Sequence, residues 1–131
     1  MVDGHYIMQN GGSEVWVKNG KFHRLDGPAI IWDIGSQFWY KNGERHREDG
    51  PAVIWADGGM EYRFNDLLHR IGGPAIIEED GTQRWYQKGE HHNDNGPALI
   101  YPDGEIQYWL NDKYYSNIIL WKIGIWMKLK K

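Results

Sequence analysis

The chain has 131 residues, a formal net charge of −3, no cysteine, and 15% aromatic residues that include eight Trp and eight Tyr. That length suits one domain, the aromatic content excludes a disordered chain, and the lack of Cys excludes disulfides and thiolate metal sites. Residues 116–131 carry Lys122, Lys128, Lys130 and Lys131 and no acid, a local +4, and the rest of the chain carries −7; an acidic body points away from binding a phosphate backbone.

The chain opens on Met1-Val2-Asp3-Gly4-His5, with no basic region leading into an apolar run. We therefore expect no signal peptide and a cytoplasmic location. No apolar run reaches the roughly 18 residues that a membrane-spanning helix needs. Tyr6-Ile7-Met8, with Asn10-Gly11-Gly12 after it, reads as a half-unit over 5–12 that pairs the first edge of a larger sheet.

From residue 13 the chain repeats with a period of 23, without insertion or deletion, through 13–35, 36–58, 59–81 and 82–104, and partially through 105–115. Trp39, Asn42-Gly43, His46-Arg47, Asp49-Gly50-Pro51-Ala52 and Asp57-Gly58 mark one copy. A fixed period of this length means an array whose units bury their apolar faces against their neighbours. Each unit predicts two strands, one at 36–41 and its equivalents (13–18, 59–64, 82–87, 105–110) and one at 51–55 and its equivalents (28–32, 74–78, 97–101). Both are rich in β-branched and aromatic residues. Asp57-Gly58, Asp80-Gly81 and Asp103-Gly104 predict tight hairpins into the next unit, and Asn19-Gly20 and Asn42-Gly43 a second turn inside the unit.

Alternation along the strands predicts two faces. One carries Ala29/Ile31, Ala52/Ile54, Ala75/Ile77 and Ala98/Ile100, with the aromatic column Trp16, Trp39, Tyr62, Trp85 and Tyr108, and is the expected core. The other carries Trp32, Trp55, Glu78 and Tyr101, and Val17, Tyr40, Arg63, Tyr86 and Trp109. Its columns vary from copy to copy and are rich in the residue types enriched at binding hot spots. From it Trp32, Tyr40, Trp55, Arg63, Tyr86, Tyr101 and Trp109 are the candidate contacts for a protein partner.

Residues 116–131 allow a helix or a degenerate strand. The helix reading has Ser116 as N-cap, Ile119/Ile123/Trp126 and Leu120/Met127 on its apolar side, and lysines at its C-terminal end, where they suit the dipole. In the strand reading Ile123, Ile125, Met127 and Leu129 alternate, and Gly124 would cost a helix about 1 kcal/mol. An array needs a cap on its last unit, which favours the helix. Ile119, Ile123 and Trp126 are candidate tail contacts.

The pattern aromatic-x-x-Asn-Gly-x-x-His, then Gly, then Asp-Gly, at period 23, resembles the MORN repeat. It is most similar to divergent MORN-type variants of bacterial and phage proteins, some labelled antitoxin-like. The resemblance covers about residues 13–115. It departs where Arg or Asn follows the His and where Gly-Pro-Ala follows the turn. It implies an all-β fold, an elongated twisted antiparallel sheet of hairpin repeats with a C-terminal capping helix, serving as a contact scaffold. Lipid binding has been attributed to the family, but no residue here carries it over.

Chemistry finds little to work with. Members of the column His23, His46, His69 and His92 lie two strands apart, on the order of 10 Å, so adjacent members cannot share a metal ion. Imidazoles that satisfy turn backbone or pack on the next unit's aromatic explain the column instead. Asp49, Asp57, Asp80 and Asp103 sit where turns need them. Ser13, Ser36 and Ser116 lack a nucleophile-elbow context. The expected protein is thus not an enzyme and uses no cofactor or metal. It is a protein-binding adaptor or inhibitor, with a phage or mobile-element inhibitor of a host factor, anti-defence or antitoxin-like, as the concrete subclass. A homodimer is a possible partner state, nucleic acid is disfavoured, and the alternative is peripheral membrane association through 117–131.

Overall fold

A computed structural model describes residues 2–9 and 11–130. It consists mainly of short antiparallel β-hairpins with a single C-terminal helix among the described residues, the all-β class that the repeat predicts. Two compact units divide it, one ending at Leu67 and the other beginning at Leu68.

In the first unit, strands Gly4–Ile7, Glu14–Lys18, Ile30–Ile31, Gln37–Phe38, Val53–Ile54 and Met60–Glu61 lie side by side in that order, each antiparallel to the next. Two strands are thus added per repeat. The second unit does the same with Ile76–Ile77, Gln83–Arg84, Leu99–Ile100, Ile106–Leu110 and Lys113–Tyr115. Gly4–Ile7 pairs the first edge of the array, as the half-unit reading expects, although Asn10 of that reading lies outside the described residues.

Glu14–Lys18 and Ile106–Leu110 match their predicted strands to within a residue, but the strands between them are shorter than expected, for a geometric reason. The stretch 36–41 splits into Gln37–Phe38 and Tyr40–Lys41, and 82–87 splits in the same way. Trp39 is the pivot between two pairings. Phe38 pairs with Val53, whereas Tyr40 pairs with Arg45 in a separate small hairpin. Trp39 keeps a bond in each direction, donating its N–H to the Ala52 carbonyl at 2.7 Å and accepting from the His46 N–H at 3.1 Å. The partner strands Glu44–Arg45 and Glu90–His91 form segments that the sequence reading leaves to the turn. Asn42 (φ 52°) and Gly43 (φ 83°) supply the two left-handed residues of the tight turn between Lys41 and Glu44, the chemistry such hairpins need.

The burial pattern corrects the expected faces. Ala29, Ala52, Ala75 and Ala98 are fully buried, as predicted, but Ile31, Ile54, Ile77 and Ile100 are only half-buried. The residues before them, Ile30, Val53 and Leu99, fill the core instead. Strict alternation fails because each Ala sits in a bend ahead of a two-residue strand, so both Ala52 and Val53 are covered. The apolar cluster of the first unit is Val15, Val17 and Ile30, with Tyr6, Phe38 and Tyr40 against it. It therefore lies on the face that the sequence assigned to partner contact.

The tail is a helix, Ile118–Leu129, capped by Asn117 rather than Ser116: the Asn117 side chain accepts the Leu120 N–H at 3.0 Å. No described helix is long and apolar enough to cross a membrane.

Candidate functional site

The recurring His-Arg-x-x-Gly-Pro-Ala segment is a structural clasp. His23, His46, His69 and His92 each accept, through Nδ1, the backbone N–H of the residue 19 positions on, namely Asn42, Asn65, Lys88 and Asn111, each at 3.0 Å. Nδ1 is thus the accepting nitrogen of each ring. The donor is in every case a left-handed turn residue of the following repeat. Each His thereby ties one repeat to the turn of the next. Among the described residues no group of three or more His, Cys, Asp or Glu could hold a metal ion.

The Arg after the His is the second half of the clasp. The guanidinium carbons of Arg24 and Arg47 lie over the rings of Trp16 and Trp39, 3.8 and 4.0 Å from the ring centres. Their Nη1 atoms donate to the Pro28 and Pro51 carbonyls at 3.2 and 3.1 Å, and Arg70 does the same to Pro74 at 3.1 Å. The guanidinium crosses the glycine between: a Cβ on Gly27, Gly50 or Gly73 would stand 2.8, 2.9 or 2.8 Å from the guanidinium carbon. In the fourth copy Asn93 replaces Arg and still reaches the Pro97 carbonyl at 2.8 Å, and there a Cβ on Gly96 would have 3.8 Å of room. The Arg or Asn after the His and the Gly-Pro-Ala that follows are thus one device. The cleft of about 590 Å³ beside these loops is lined by Arg24, Arg47, Trp39 and the carboxylates of Asp26, Glu48 and Asp49, and its two guanidiniums are already engaged.

The varied columns of the other face are largely occupied by one another. Phe38 takes Trp32 and Trp55 edge-on, with ring centres 5.7 and 5.1 Å away. Glu61 accepts from Trp55 Nε1 at 3.1 Å and from Arg63 Nε at 2.8 Å. Tyr40 packs on Phe22 at 5.5 Å, and its burial raises the phenol's pKa above the ordinary value. Arg45 grips Asp66 at 2.9 Å; partial burial pushes that carboxyl up, but the bonds from Arg45 outweigh it and hold it below the usual range. In the second unit His91 sits between Tyr86 (4.9 Å) and Trp109 (4.6 Å) and reaches the Ala98 carbonyl through Nε2 at 3.0 Å. Trp109 donates to Gln107 at 3.0 Å. Of the seven predicted contacts, Tyr40, Arg63, Tyr86, Tyr101 and Trp109 are half-buried, and Trp32 and Trp55 are exposed, at 37% and 42%. Glu61 and His91, which the sequence reading did not single out, hold these columns in place.

The helix departs most from its expected packing. Its one buried side chain among the described residues is Trp121, whose ring lies 5.1 Å from that of Tyr108 and whose Nε1 donates to the Asn93 carbonyl at 3.2 Å. Three residues on, Gly124 lies directly on the Tyr115 ring. These two residues fasten the helix. The predicted apolar side points elsewhere: Ile119, Ile123 and Trp126 are 68, 48 and 58% exposed, and Leu120 and Met127 are exposed beside them. The aromatic–x–x–Gly spacing of Trp121 and Gly124 on one side of an apolar helix was the available signal for the true anchor.

No family model matches this chain, and no curated protein matches it.

Proposed function

We propose that this protein is a non-enzymatic binding module for another protein, anchored on its C-terminal helix. The observation that carries the reading is the stripe Ile119, Leu120, Ile123, Trp126 and Met127, exposed together on a helix held by other residues. At about 100° per residue these five side chains cover an arc of roughly 120°, the width of stripe that a globular helix turns toward a core. Contiguous apolar exposure of this kind marks an interaction surface. Trp32 and Trp55, exposed beside Phe38, are a second, smaller contact on the sheet. The narrower identity as a phage or mobile-element inhibitor of a host factor rests on the MORN-type resemblance alone, and a cytoplasmic location goes with that reading.

Affinity capture from the native host, followed by mass spectrometry, tests this with paired variants. A partner retained by wild type and lost by Ile119→Ser/Trp126→Ser, with an unchanged β-sheet signal in circular dichroism, supports it. Loss with Trp55→Ala and not with the helix variant moves the contact to the sheet.

The same helix favours one other reading, peripheral membrane association, since it carries Lys122 and Lys128 and no acid. Co-sedimentation with anionic vesicles that is lost on deleting 117–131, with the sheet still folded, supports that reading over the first.

A further inference from the structure

Between the last hairpin, Ile106–Leu110 with Lys113–Tyr115, and the helix runs an open groove of about 650 Å³. Leu120, Ile123 and Met127 form its helix wall and Leu110 and Tyr115 its opposite wall. Its charged lining residues are Lys113 and Lys128, and no Asp or Glu is among the described residues that line it. The groove is continuous with the exposed stripe, because Ile119 and Trp126 carry the apolar surface outward from Ile123 and Met127.

The geometry points to an acidic amphipathic helix of a partner protein as the occupant of this groove. The inference rests on the protein-binding reading above and names the partner's chemistry. Three observations select it. The groove is open and lined mainly by apolar and aromatic side chains, with a helix along one side, and an amphipathic helix docks in such a groove with apolar residues at i, i+3, i+4 and i+7. All the charge on its lining is positive, so carboxylates flanking the partner's apolar stripe meet Lys113 and Lys128, and opposite potentials across an interface select the partner. The helix of a second copy carries Lys122 and Lys128 and no acid, so it offers no carboxylate to Lys113 and Lys128. A bilayer surface is broad and could cover Ile119 and Trp126, but it does not fill a groove walled on both sides.

The test uses the full chain and labelled peptides of about 18 residues, long enough to hold a helix once docked. One peptide places Leu at the helical stripe positions and Glu elsewhere; the second keeps the Leu pattern and replaces every Glu with Lys. Fluorescence anisotropy at physiological salt is expected to show the acidic peptide binding at least tenfold more tightly. Lys113→Glu/Lys128→Glu is expected to reverse the preference, and the neutral pair Lys113→Met/Lys128→Met to remove it while leaving the helix signal in circular dichroism intact. Ile123→Ser/Met127→Ser is expected to lose both peptides. Equal binding of the two peptides, no binding of either, or a preference unchanged in the charge variants overturns the inference. So does a concentration-dependent dimer whose formation blocks the peptide. Binding of phosphatidylserine/phosphatidylcholine vesicles without binding of the acidic peptide overturns it in favour of the membrane. If the host partner is still captured through Ile119 and Trp126 while the peptides show no charge preference, this inference fails and the protein-binding reading stands.

Discussion

Gly124 of the helix lies against Tyr115 of the last strand so closely that a Cβ on Gly124 would stand 2.7 Å from the phenol oxygen and 2.8 Å from the ring carbon that bears it. The residue that costs an isolated helix about 1 kcal/mol relative to Ala is what allows this helix to reach the sheet. Trp121, one turn before it, can then bury its indole against Tyr108. Gly124→Ala is therefore expected to loosen the helix despite its better propensity. Faster proteolysis after residue 116 and a red-shifted Trp emission are the expected signs. Tyr115→Ala/Gly124→Ala, which makes room for the methyl group, should lose less helix protection than Gly124→Ala alone. A Gly124→Ala protein as resistant to proteolysis as wild type would refute this packing.

The histidine clasp predicts a local and a global effect. In His46→Ala the Asn65 N–H loses its acceptor, and a buried ring packed 4.2 Å from Phe64 disappears. Such a bond contributes about 1 kcal/mol net, and the lost packing of the ring adds to it. A loss of about 2 kcal/mol in urea unfolding is expected, with accelerated amide exchange at Asn65. His46→Gln, whose Oε1 can accept, should lose less. Unchanged exchange at Asn65 in the alanine variant would show that the bond contributes nothing.

Arg47 and Gly50 should behave as a coupled pair. Gly50→Ala puts a methyl group 2.9 Å from the guanidinium carbon and forces it off the Pro51 carbonyl. The fourth repeat shows the compatible alternative, Asn93 with an uncrowded Gly96. Arg47→Asn/Gly50→Ala is thus expected to be more stable than the sum of the two single changes implies, by about 1 kcal/mol, the scale typical of residues in contact. Strict additivity in thermal melts would mean that the two groups do not meet.

His91 and His92 give the second unit an acid-sensitive element. Burial lowers the pKa of both below the ordinary 6.5, and the nearby Lys128 charge adds to the effect at His92. The fold therefore favours the neutral rings. A group whose folded pKa is depressed in this way contributes fully above the unfolded value, and its contribution is lost as pH falls from about 6.5 through the lowered folded value. Urea midpoints should drop over that window. His91→Phe, which keeps the aromatic stack with Tyr86 and Trp109, should flatten the pH profile. A profile of the same slope in His91→Phe/His92→Gln would place the acid sensitivity elsewhere.

Much of this architecture is legible in the residues taken alone. The period of 23, the Asn-Gly and Asp-Gly turns and the β-prone runs between them determine an antiparallel hairpin array, because glycine and asparagine at φ > 0 close hairpins whatever surrounds them. The structural use of the His column was legible in its recurrence beside each turn, and the bonds that Nδ1 accepts from the turn backbone are the ones that reading names. Three things were decided only in three dimensions. Both Ala52 and Val53 are buried because the chain bends between them, and a strict period of two describes only residues that lie within one strand. The varied aromatic columns read as a free contact face, yet Glu61, His91 and Phe38 engage most of them, because the turns and hairpin pairings, which alternation along a strand does not describe, bring those partners alongside. The helix is apolar around most of its circumference, so its own residues do not say which side packs. Trp121 and Gly124 do so because the Asn93 carbonyl, Tyr108 and Tyr115 are there to receive them, and this leaves Ile119, Ile123 and Trp126 facing outward.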